Sequence, residues 1–173
     1  MIVSQHLKGI FLSSDTKLIQ NLIQNITINS NTLNQPITKP QQIAYFILRI
    51  TLGVAFFTFG ASKFFNQGIA NFADFMMDRF AGLLPEILLV PFVWVLPFAE
   101  LILGLFLILG LFSMITLTGT GLLITALTFG AVLSGDPATT ANNLIYAIIT
   151  FFLLWNVHAN SWSVDNKIGR TYE

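Results

Sequence analysis

The chain contains no cysteine. That excludes disulfides, thiolate metal sites, covalent c-type haem attachment and any thiol chemistry carried by these residues. Charge is nearly as scarce. Asp, Glu, Lys and Arg make up 9% of the 173 residues, where a soluble globular domain carries about 25%. No charged side chain stands between Glu100 and Asp136, or between Asp136 and Asp165. Histidine occurs twice, as His6 and His158, in segments of different character, so no bis-imidazole haem site is expected. No metal-ligand set is expected either. Net charge is zero, which leaves no electrostatic footprint for nucleic acid.

What remains is apolar: hydrophobic residues supply 54% of the chain, more than one soluble domain of this length could hide. Four uncharged or nearly uncharged stretches, 43–65, 87–112, 114–133 and 142–159, are each long enough at about 1.5 Å per residue to cross most of a hydrocarbon core of about 30 Å. The fold class expected is all-α: a polytopic membrane protein with a four-transmembrane-helix bundle. A short interfacial helix is expected in the first loop, 66–86, where "NFADFMMDRF" spaces aromatic residues at helical intervals before Pro85. The domain plan is a polar, partly amphipathic N-terminal extension at 1–41, a membrane domain at 42–166 and a short tail at 167–173. Within the extension, Leu18, Ile19, Leu22, Ile23 and Ile26 recur at helical spacing behind the cap candidates Ser13, Ser14 and Asp15. Lys8, Lys17 and Lys39 flank the first span, and Lys167 and Arg170 follow the last. The opposite loops hold only Arg79 against Asp74, Asp78, Glu86 and Asp136. By the positive-inside rule both termini are expected in the cytoplasm, with the protein multi-pass in the cell membrane.

Glu100 is the residue that most needs an explanation. A carboxylate at that depth costs about 2.5–3.5 kcal/mol on insertion scales unless it is paired or faces a polar cavity. Arg49 and Lys63 are its candidate partners. Arg49, Gly53, Phe56, Gly60 and Lys63 share one helical stripe, as do Pro97, Glu100, Gly104 and Leu107, and also Thr118, Gly121, Thr125 and Thr128. Convergence of the three stripes would create one polar seam. Placing Arg49 about one turn from mid-span makes Arg49–Glu100 the expected pair and Lys63 a group at the outer mouth. The same residues also read as structure: a buried ion pair fixes helix register, and glycines let helices approach. His158, between Trp155 and Trp162, reads as an interfacial anchor.

Three blocks, in order, resemble the DoxX family: "LRITLGVAFFTFGASKFF", "PFAELILGLFLILGLFSMITLTG" and "NSWSVDN". The resemblance covers about residues 44–166. It implies a four-helix membrane protein, in some relatives a subunit of a thiosulfate:quinone oxidoreductase, and it matches Arg49, Gly60, Lys63, Glu100, Gly104, Ser163 and Asp165 to family positions. The "HANSWS" approach to Ser163 departs from the family's glycine-rich pattern.

The leading expectation is a quinone-interacting membrane subunit of a redox complex, with no covalently bound cofactor. Glu100 and Arg49 are its candidate catalytic residues. Lys63, Gly60, Gly104 and Trp94 are its candidate ligand-binding residues, with Ser163 and Asp165 as further motif positions. Aromatic walls from Phe56, Phe57, Trp94 and Phe98 would hold a prenylated ring. The bilayer is one partner; a chain without cysteine or haem ligands does not readily supply electrons itself, so it needs either a soluble oxidoreductase partner or a substrate such as thiosulfate reaching the site directly. Two alternatives stay open: a non-enzymatic membrane anchor or assembly factor for soluble partners, and a small proton-linked transporter.

Overall fold

A computed structural model describes residues 19–22, 24 and 37–169. The chain divides into two units, Met1–Ile37 and Thr38–Glu173. In the first, residues 19–22 and 24 are helical and exposed. The cap candidates Ser13, Ser14 and Asp15, together with Leu18, Ile23 and Ile26, lie outside the described residues.

Helices build the second unit, and no strand occurs among the described residues. They are α1 (Lys39–Phe65), α2 (Ile69–Arg79), α3 (Glu86–Leu109), α4 (Ser113–Leu133), α5 (Pro137–Trp155), a 3₁₀ turn (Val157–Ala159) and α6 (Val164–Lys167). Local chemistry sets their ends. Asp136 caps α5, its Oδ1 accepting from the Thr139 N–H at 2.9 Å, and Pro137 opens the first turn. That start signal explains why the fourth span begins earlier than residue 142, where hydropathy alone would put it. Gly110, at φ +66°, ends α3, and the Leu111 N–H closes back onto the Phe106 carbonyl at 3.0 Å.

Among the described residues four helices, α1, α3, α4 and α5, are long and apolar enough to cross a membrane. Only 17–33% of their most apolar windows is buried within the molecule, so most of that surface faces outward. Ile87, Ile115, Leu122, Phe129 and Phe151 are among the exposed side chains. Apolar faces this broad are at home against lipid, where helices satisfy their own backbone hydrogen bonds. The protein is an all-α polytopic membrane bundle.

Helix α1 packs along the length of α3, and α4 packs on α5. Glycines set the first contact. A Cβ on Gly60 would stand 2.6 Å from the Leu101 nitrogen, one on Gly104 2.3 Å from the Phe57 nitrogen, and one on Gly53 2.9 Å from the Ile108 nitrogen. Backbone therefore meets backbone in the α1–α3 seam, as small residues permit in membranes. Between the two ends, Leu52, Phe56, Leu107, Leu117, Ile124 and Leu153 fill the bundle with an apolar core. The loop helix α2 folds back on α3, burying Phe72 and Ala73, followed by Phe80, against Leu89, Val93 and Leu96.

The expected stripe on α4 is displaced. Thr118 and Thr125 are exposed, and the buried face carries Ser113, Thr116, Leu117, Thr120, Ile124 and Ala131. Threonine is a poor guide to the inner face because its hydroxyl can be satisfied within its own helix. Thr125 donates to the Gly121 carbonyl at 2.9 Å, as Thr120 does to that of Thr116 at 2.8 Å.

Candidate functional site

Two polar centres lie at opposite ends of the bundle. The first surrounds Glu100, which is 3% exposed. Its Oε2 accepts a hydrogen bond from the Lys63 ammonium, forming an ion pair between α3 and α1. The expected partner, Arg49, is out of reach for a reason of register. With Gly60 against Leu101 and Phe57 against Gly104, the α1 residue level with Glu100 is about Ala61. That is twelve residues beyond Arg49, or about 18 Å along the axis. The Arg49–Glu100 pair is thus replaced by Lys63–Glu100. Lys63 also lies over the Phe72 ring, 5.2 Å from its centroid, which adds a cation–π contact.

The pair lines a cavity of about 320 Å³. Phe59, Phe72, Phe80 and Phe92 provide aromatic wall, Leu96 and Leu127 aliphatic wall, and α5 contributes Asn143 and Tyr146. Asn143 is 8% exposed, and its Nδ2 is buried without a hydrogen-bond partner. At the rim, Arg79 of α2 bonds Asp136 at 2.8 Å and Ser134 at 3.2 Å, tying the loop helix to the α4–α5 turn. The Thr139 backbone N–H and then Arg79 hold the Asp136 carboxyl down at about 2, so the latch is charged at neutral pH. A neighbouring hollow of about 510 Å³ is lined by Phe59, Lys63 and Phe72 with Ser62, Gln67, Asn71 and Phe75, so Lys63 is approached from two sides.

The second centre holds Arg49, which is 1% exposed. Its guanidinium donates to Asn160 Oδ1 and to the Trp162 carbonyl, both at 2.8 Å, and lies 5.6 Å from the Phe46 ring centroid. Asn160 Nδ2 donates to Ser113 Oγ at 2.7 Å. Asp165 accepts from the backbone N–H groups of Phe112 (2.9 Å) and Ser113 (2.8 Å) and from the Ser113 hydroxyl (2.9 Å). Its carboxylate therefore caps the N-terminus of α4 from 52 residues away in sequence, where the helix dipole favours negative charge. Phe112, at φ +48°, occupies a region costly for a bulky side chain, and the Asp165 bond holds it there. Ser163 caps α6 and donates to the Asn160 carbonyl at 2.9 Å. The network ties the C-terminal segment to the α3–α4 turn.

The residues singled out from sequence separate accordingly. Glu100 and Lys63 line the cavity. Arg49, Ser163 and Asp165 belong to the network at the other end. Gly60 and Gly104 lie in the α1–α3 seam, where a neighbouring backbone fills the space a ligand would need. Trp94 and Phe98 are exposed and Phe56 is buried in the core, so the expected aromatic wall of Phe56, Phe57, Trp94 and Phe98 does not face one space. His158 is exposed in the 3₁₀ turn. Asn143, Tyr146, Ser113 and Asn160 were not singled out. Uncharged polar residues carry no strong signal in an apolar helix or at its end.

Fold and cavity define a multi-pass helical membrane protein with a ligand-sized pocket at one end of its bundle. Residues 41–135, more than half of the chain, match the family described as methylamine utilisation protein MauE, and the chain belongs to that family. This corrects the DoxX resemblance, since MauE is a different membrane family. The blocks that carried the resemblance do structural work here: glycines let α1 and α3 approach, Arg49 anchors the C-terminal segment, and Ser163 and Asp165 hold its last turn. No curated protein and no solved structure matches the chain.

Proposed function

We propose that this protein is a membrane component of a methylamine-utilisation system, and that its cavity binds the head of a quinone-type ring beside the Lys63–Glu100 pair. The carrying observation is that pair itself: an ion pair, with one member almost fully buried, on the wall of an aromatic-lined pocket. Ligand pockets run from about 300 to 1,000 Å³. A volume of about 320 Å³ suits one ring head, with any prenyl tail leaving between helices into lipid. Lys63 donates a hydrogen bond to a ring carbonyl, while Glu100 holds the ammonium in place and is positioned to exchange a proton with a ring oxygen. Electrons come from a soluble oxidoreductase partner, and the cavity mouth lies on the face opposite the cytoplasmic termini.

Native mass spectrometry of the protein extracted gently from its own membranes tests this. A retained quinone mass in the native chain, lost in both Glu100→Gln and Lys63→Gln, is the expected result. A co-purifying soluble protein with no quinone at any loading would replace this reading by that of a non-enzymatic anchor. The transporter alternative has less support, because the apolar cluster around Phe56 and Ile124 separates the cavity from the opposite polar centre.

A further inference from the structure

Asn143 is a buried polar residue on the cavity wall to which the ring-binding reading gives no role. Its position is unusual: 8% exposed, on the cavity wall, with Nδ2 buried and lacking any hydrogen-bond partner. A buried amide without a partner loses its hydration with nothing in return. Most buried polar groups avoid that cost. Several buried groups among the described residues do: Asn160 is bonded at both ends of its amide, and the hydroxyls of Ser113, Thr116, Thr120 and Thr150 are all engaged. Tyr146 lies one turn further along α5, lines the same cavity, and has its ring against Phe56 and Phe59. The cavity thus has the Lys63–Glu100 pair from α1 and α3, Arg79 of α2 held by Asp136 at the rim, and a neutral amide on α5.

We propose that Asn143 is a second ligand anchor, and that the cavity takes a flat ring bearing two separated oxygen acceptors, one met by Lys63 and the other by the Asn143 amide. The chemistry follows from the donors. An ammonium and an amide N–H both seek acceptor oxygens, and the aromatic lining of the cavity accepts a planar, largely apolar body. An amide also suits a ligand that changes protonation. Turned about its last bond, it donates to a carbonyl or accepts from a hydroxyl, so it recognises the oxidised and the reduced ring alike. Asn143 acts here as a binding and specificity residue. The inference rests on the ring-binding reading above and adds the identity of the second contact.

The test uses the full chain in lipid nanodiscs and two probes: a decyl-substituted 1,4-benzoquinone, and a decyl-substituted acetophenone that keeps a single carbonyl. Calorimetric affinity is measured for the native protein, Asn143→Leu and Lys63→Gln. The native protein is expected to bind the two-carbonyl probe about tenfold more tightly than the one-carbonyl probe. Asn143→Leu is expected to erase that preference by weakening the two-carbonyl probe, and an unchanged far-UV circular dichroism spectrum shows that the variant is folded. Lys63→Gln weakens both probes. Thermal stability gives an independent sign: replacing a partnerless amide by an isosteric leucine is expected to leave the unliganded melting temperature unchanged or raise it. A melting temperature that falls in Asn143→Leu would make the residue structural and overturn the proposal, as would an unaltered two-carbonyl preference. If the native protein binds neither probe, the ring-binding reading falls and the Asn143 assignment falls with it.

Discussion

At the scale of single residues, the two buried charged centres separate by what each carboxylate is bonded to. Asp165 accepts three hydrogen bonds from the start of α4, two of them from backbone. Hydrogen bonds to a charged group contribute about 1.5–3 kcal/mol each, and they do not add fully. Asp165→Ala is therefore expected to destabilise the bundle by about 3 kcal/mol, read as reversible unfolding in mixed micelles, and to leave ligand affinity at the far cavity unaltered. Loss of affinity without loss of stability would reverse the roles assigned to the two ends. Glu100 was readable in the sequence because a lone carboxylate within an apolar run must be compensated. Its partner was not, because the choice between Arg49 and Lys63 turns on the axial offset of two helices. Asn143 and Asn160 carried no signal of their own. Their importance comes from burial and geometry, and composition reports neither.

For the helices as elements, the α1–α3 seam and the α5 cap make opposite demands. At Gly104 a methyl group would fall 2.3 Å from the Phe57 nitrogen, and helix backbone cannot give way as a flexible side chain can. Gly104→Ala is expected to cost about 3 kcal/mol or more by prising the seam apart. At Gly121 the added carbon meets only Thr150 Cγ2, at 3.7 Å. Gly121→Ala is thus expected to be neutral or to gain up to about 1 kcal/mol from helix propensity, and thermal unfolding of the two variants side by side checks the contrast. The cap of α5 has a pH signature. The Thr139 N–H and Arg79 lower the Asp136 carboxyl from its ordinary 3.8 to about 2. A lowered carboxyl contributes stability above its unfolded value and loses it as the pH falls through the folded one. Protection of the Thr139 and Thr140 amides, normalised for intrinsic exchange, is expected to hold from pH 8 down to about 4 and to decline between about 4 and 2. In Asp136→Asn that step should vanish. The glycine stripes on α1 and α3 were readable as faces because period and residue size coincide there. On α4 the threonine stripe misled, since a hydroxyl bonded to its own helix sits as comfortably toward lipid as toward the core.

On the level of the whole molecule, class and span number were readable because both follow from summed hydropathy, which tolerates errors of several residues at each end. The identity of the ligand was not, since the cavity is assembled from all five helices between α1 and α5, and no short window of sequence contains it. Orientation stands between these two cases. Lys39 and Lys167 lie at the end of the bundle away from the cavity, where Arg79 is answered by Asp136. By the positive-inside rule the cavity mouth is expected outside the cytoplasm. The absence of cysteine makes this directly measurable, because a single introduced thiol has no background. Gln67, in the loop after α1, and Lys167, in α6, are both exposed side chains at opposite ends. A membrane-impermeant maleimide applied to intact cells is expected to label Gln67→Cys at once and Lys167→Cys only after permeabilisation. The reverse pattern would turn the cavity toward the cytoplasm. Under the proposed reading, a ring ligand would then meet its partner on that side, and a soluble oxidoreductase would be sought there.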